Sequence, residues 1–139
     1  MRALILDDER EIGRVICRIA ERAGVSARAV TDLGAFRDEL QSTPPDVVLL
    51  DLHLGGSDNG LVQLRMLAEH GYAAPVILMS GHDRLVLSSA ERAGRDLGLL
   101  IFASITKPFG PEELTRLFQQ IKAKTAALEI ERSRSSGTS

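Results

Sequence analysis

The residues of this chain that could do chemistry stand at the ends of short apolar runs. Asp7 and Asp8 follow ALIL, Asp51 ends DVVLLD, Ser80 ends VILMS and Lys107 follows FASIT. Runs of this kind form strands covered on both faces. In an open parallel sheet, groups at the carboxyl ends of the strands converge where ligands bind. Three carboxylates brought together there repel one another unless a cation joins them, and a hard divalent ion with oxygen ligands suits them. The chemistry this implies is phosphoryl transfer to a carboxylate.

Each residue has a plainer reading, and the combination decides. Asp51 alone could be a solvated acid ending a strand; beside the other groups it is the candidate nucleophile, held for in-line attack. Asp7 and Asp8 lie past a strand end, where both can reach one cation. Magnesium takes one or two carboxylates and fills its other positions with water and phosphate oxygens. Asp8 and Asp51 are therefore expected as direct ligands of Mg²⁺, with Asp7 acting through water. Glu9 belongs to the acids that favour a helix start. Lys107 is the candidate phosphate clamp, and Pro108 pushes it toward extended geometry, with a cis bond expected between them. Ser80 offers a hydroxyl to a phosphoryl oxygen. His53 and His82, on separate loops without a third ligand, make no zinc site and are expected on the pocket rim.

The elements that must position these groups alternate strictly. Strands are expected over Ala3–Asp7, Val25–Val30 (an edge, interrupted by Ser26 and Arg28), Asp46–Asp51, Pro75–Ser80 and Leu99–Ile105. Between them the pattern predicts helices from Glu9 to about Ala23, Leu33–Gln41, Leu61 to about His70, and Asp83–Leu97. Gly55–Gly60 is a loop by composition. Pro111, Glu112 and Glu113 open a last helix, with proline at its first position and acids at the positive dipole end. Five βα units imply an α/β three-layer sandwich with a parallel sheet in the flavodoxin-like order 2-1-3-4-5, which sets strands 1 and 3 side by side. The last helix keeps an apolar stripe to about Ile130. Its roughly 20 residues span about 30 Å, longer than one sheet crossing needs. The chain is therefore divided into a domain at 1–124 and a helix extension with a flexible tail or linker at 125–139.

The 139 residues suffice for one domain with a proper core. Apolar content of 44% with a net charge of −2 shows no basic stripe, which argues against a stand-alone nucleic-acid binder. No apolar stretch reaches membrane-spanning length, and Met1-Arg2 leads into a strand without a signal peptide. The single Cys17 lies among apolar residues at helical spacing and reads as a packed thiol, compatible with a reducing cytoplasm.

Together, LILDD, VVLLDLHL, VILMSGHD and ITKPFGPEEL resemble the receiver domain of two-component response regulators, such as the chemotaxis regulators, over about residues 1–124. The resemblance implies that a histidine kinase or phosphotransfer protein donates a phosphoryl group to Asp51. It also implies that Asp7, Asp8 and the backbone carbonyl of His53 hold Mg²⁺, and that Ser80 and Lys107 grip the phosphoryl group. The segment SSAERAGRDLGLLIFASITKPF is similar to receivers fused to cyclic-dinucleotide phosphodiesterase domains. The chain departs from the pattern twice. Leu54-Gly55 stands where Met-Pro is usual, with Gly60 one residue late, and Ser104 occupies the place of the switch aromatic. Phe102, two residues before Ser104, is expected on the same face of the strand by alternation, as a core residue.

The leading expectation is a phosphoacceptor switch rather than an enzyme, attached to or acting on an output domain, with a homodimer also open. Two alternatives compete. A phosphorylation-independent interaction module would leave the acceptor site intact but unused. An aspartyl-phosphate phosphatase of the haloacid-dehalogenase type wants its nucleophile and acid two apart on the first strand, whereas Asp7 and Asp8 are adjacent.

Overall fold

The computed structural model describes residues 1–54, 60–81 and 83–136. Its order is β1 (Arg2–Leu6), α1 (Arg10–Arg22), β2 (Ser26–Val30), α2 (Leu33–Ser42), β3 (Val47–Asp51), α3 (Leu61–Glu69), β4 (Pro75–Ser80), α4 (Arg84–Asp96), β5 (Leu100–Thr106) and α5 (Pro111–Ser136). The five strands form one parallel sheet in the order β2-β1-β3-β4-β5. This is the architecture read from the sequence, with β2 at an edge.

The sheet is buried on both faces because its central strands are apolar up to their carboxyl ends. All five residues of β3 are buried, as covering a parallel sheet on both sides requires. Leu4, Leu6, Val48, Leu50, Val76 and Leu78 pack under α2, α3 and α4 with Phe36, Leu64, Leu67 and Leu87. Ala3, Ile5, Val47, Leu49, Ile77 and Met79 pack on the other face under α1 and α5, against Ile16, Ala20, Leu114, Phe118 and Ile121. Cys17 packs against that second cluster, partly buried; burial, with the charge of Glu21 beside it, raises its pKa.

Local chemistry sets the helix ends. Asp32 caps α2 by accepting from Ala35 N at 2.8 Å, and Asp83 caps α4 by accepting from Leu85 N at 2.9 Å, each satisfying an otherwise orphaned amide. α1 stops at Gly24, whose φ of +78° carries the chain into β2.

Two expectations about local structure change. Composition pointed to a flexible tail or linker closing the 125–139 extension, yet α5 runs on to Ser136. Neither glycine nor proline interrupts the chain between Pro111 and Ser136, and glutamate, arginine and alanine sustain a helix. The second change concerns Phe102. The register of β4 on β5 slips by one residue, so that Val76 pairs with Ile101 but Ile77 with Ala103. This bulge reverses the alternation. Phe102 packs on the α1/α5 side, with Lys124 Nζ 5.8 Å from its ring centroid. Ser104 turns instead toward α4, where its hydroxyl donates to Glu91 at 2.7 Å. The two residues face opposite sides of the sheet.

Candidate functional site

Four strand ends build the pocket. Asp7 follows β1 and Asp51 ends β3, adjacent strands in the sheet; Ser80 ends β4 and Lys107 follows β5. The Lys107 backbone N–H donates to the Ser80 carbonyl at 2.7 Å, tying the last two together. The Lys107–Pro108 peptide is cis, as the sequence suggested.

Asp7 is buried and fully engaged. One carboxylate oxygen accepts from Glu9 N at 2.9 Å and the other from Lys107 Nζ at 2.7 Å. Asp51 is buried too. Its Oδ1 accepts from His53 N at 3.1 Å and lies 3.5 Å from Lys107 Nζ. Asp8 is exposed at the mouth. Carboxylate oxygens of Asp7, Asp8 and Asp51 lie within 4.8 Å of one another.

Among the described residues, three carboxylates face one ammonium, so the charges do not balance. Burial pushes the Asp51 carboxyl up to about 6, a rise that the His53 N–H and Lys107 oppose and Asp7 and Asp8 reinforce. Burial alone would lower the pKa of Lys107, but its hydrogen bond to Asp7 and the charges of Asp51 and Asp7 raise it above its ordinary value. An all-oxygen acidic cluster of this kind fits Mg²⁺. A polar atom left open completes the geometry: the Ser80 hydroxyl is buried and has no hydrogen-bond partner among the described residues.

The histidines are not part of the charged cluster. His53 is exposed, touching the site through its backbone, and His82 lies outside the described residues. The sequence reading placed Gly60 only as a displaced loop glycine and did not single out Gln63. Gly60, the N-cap of α3 with φ +67°, brings the helix so close to Leu52 that a Cβ would sit 2.4 Å from Leu52 Cδ2. Gln63, buried on that helix, donates its side-chain amide to the Asp51 carbonyl at 3.2 Å. The available signal was an amide interrupting the apolar stripe of Leu64 and Leu67.

Residues 3–119 match the family described as response regulator receiver domain. The chain belongs to that family. This receiver domain is 31% identical over 114 residues to the nitrogen assimilation regulatory protein NtrX of Azorhizobium caulinodans, covering 80% of this chain and 24% of that protein. It is 27% identical over 134 residues to the phosphate regulon transcriptional regulatory protein PhoB of Klebsiella pneumoniae, covering 94% of this chain and 55% of PhoB. The crystal structure of a response regulator from Colwellia psychrerythraea superposes with a TM-score of 0.77 at 33% identity, covering 88% of this chain and 97% of that one. The chain thus spans between about a quarter and about half of the length of these two curated regulators. No described helix is long and apolar enough to cross a membrane.

Proposed function

We propose that this receiver accepts a phosphoryl group on Asp51 from the phosphohistidine of a histidine kinase or phosphotransfer protein, in a Mg²⁺-dependent reaction, and thereby switches a protein-interaction surface. The observation that carries this reading is a buried acceptor carboxylate sharing one pocket with two further acids and a single ammonium. Asp8 and Asp51 would hold Mg²⁺ directly, Asp7 through water and His53 through its backbone carbonyl. The ion would neutralise charge on the phosphoryl oxygens during transfer.

The protein groups divide the remaining work. An Asp51 oxygen forms the new O–P bond as the N–P bond to the donor imidazole breaks, and the departing imidazole takes up a proton. Lys107 stays on Asp7 and exchanges its longer contact with Asp51 for a phosphoryl oxygen. The free Ser80 hydroxyl donates to another. An apolar groove of about 510 Å³ adjoins Lys107, lined by Ile12, Val15, Pro108 and Phe109; it offers the donor protein a docking wall beside the acceptor.

Ser80 also leads toward the Asp83 cap of α4. Its movement onto the phosphoryl group would therefore displace that loop and helix, with no aromatic ring at Ser104 to report it. We place the domain in the cytoplasm, in keeping with its single thiol, and assign it a phosphoacceptor role rather than turnover.

Incubation with acetyl phosphate and Mg²⁺ tests this reading. The intact protein should gain the mass of one phosphoryl group, and neither Asp51→Asn nor protein held in EDTA should gain it. Undiminished labelling of Asp51→Asn would refute the assignment.

A further inference from the structure

Taking Asp51 as the phosphoacceptor, we infer that Gln63 is a positioning residue for the transfer: its amide clamps the peptide that follows Asp51 and so aims the acceptor carboxylate. The Asp51–Leu52 peptide is held from both sides. Its carbonyl accepts from Gln63 Nε2 at 3.2 Å, and its N–H donates to the Met79 carbonyl on β4 at 3.0 Å. One peptide further on, His53 N donates to Asp51 Oδ1 at 3.1 Å. Rotation of the clamped peptide would carry that amide away and turn the carboxylate with it. Gln63 therefore reaches the reacting oxygen through two covalently linked hydrogen bonds while touching neither metal nor phosphate.

The clamp requires α3 to start close to β3. Gly60 permits this, because its left-handed φ and missing Cβ let the helix begin against Leu52. Three residues later Gln63 sits in the first turn, 1% exposed, beside the fully buried Leu64.

Stability alone does not account for an amide there. Gln63 satisfies the Asp51 carbonyl, but its own Oε1 is buried without a partner among the described residues. Each buried polar atom left unpaired is costly, so the amide fills one need and opens another. An apolar side chain of the same length would leave the carbonyl unpaired and remove the open Oε1, giving a similar balance. What the amide alone supplies is direction, and small misplacements of a reacting group slow transfer steeply.

The test compares the full chain with Gln63→Met in labelling by acetyl phosphate at saturating Mg²⁺, alongside thermal unfolding. The variant should melt within a few degrees of the original chain yet label about ten-fold more slowly. Should Gln63→Met fail to fold, Gln63→Leu, whose side chain likewise has no proton to donate, should show the same slowing. A folded variant labelling within two-fold of the original chain would overturn the clamp. Failure of both variants to fold would also overturn it, by making Gln63 a packing residue. The original chain, run in parallel, separates the two claims: absence of labelling there refutes the acceptor reading itself.

Discussion

Asp51 ends a strand with only 2% of its surface exposed, and a carboxylate there is ionised at a cost. Its pKa rises from 3.8 to about 6, chiefly by burial. The folded state therefore holds a proton that the unfolded state releases between those values. Stability from this group is fully present below about pH 4 and is lost as pH rises through about 6. In EDTA at neutral pH, Asp51→Asn should consequently be more stable than the original chain, by up to about 3 kcal/mol. The gain should shrink as pH falls from about 6 toward 4. Urea unfolding at several pH values reads it directly, and a variant no more stable at neutral pH would show that burial does not dominate this group. Mg²⁺ should stabilise the original chain, since binding to the native state shifts unfolding by mass action. At this scale the charged residues were legible, because acids and a lysine at strand ends stand out against apolar runs. Gln63 was less so, because an amide in an apolar stripe marks a buried polar group but not the backbone carbonyl twelve residues earlier that it meets.

β5 shows what a one-residue slip does to an element. Alternation placed Phe102 and Ser104 on one face, and the bulge beside Ile101 separates them. Apolar runs reveal that a strand exists and which neighbours it keeps; an extra residue within such a run alters no composition and escapes detection. The consequence is a polar link between β5 and α4. Ser104 donates to one oxygen of Glu91 at 2.7 Å, while the other lies 3.8 Å from Arg95. Ser104→Ala should cost about 1 kcal/mol and speed amide hydrogen exchange in the last turns of α4, with the rate of Asp51 labelling unchanged. Unaltered exchange across Glu91–Asp96 would show that the bond does not hold the helix to the sheet.

The order of the sheet followed from five apolar runs and the handedness of their connections, and the relatives confirm the family. The reach of α5 was less legible, because serine-rich composition resembles a linker whether or not the chain stays helical. Ile121 is the last α5 residue in the core under the sheet, whereas Leu128 and Ile130 are each about half exposed. Truncation after Lys124 should therefore shift stability by no more than about 0.5 kcal/mol. A larger loss in dilute denaturant titrations would assign the extension to the domain. Any self-association seen by light scattering at high concentration should disappear with the extension, and its persistence would place the pairing surface elsewhere.

The acceptor reading depends on which atom is modified. An acyl phosphate, unlike a phosphoester, is reduced by borohydride, which converts an aspartyl phosphate to homoserine. The chain, treated with acetyl phosphate and Mg²⁺ and then reduced, should yield homoserine at position 51 and at no other aspartate when its peptides are sequenced by mass spectrometry. Homoserine at Asp7 or Asp8, or an Asp51 left unmodified in the presence of Mg²⁺, would contradict the account.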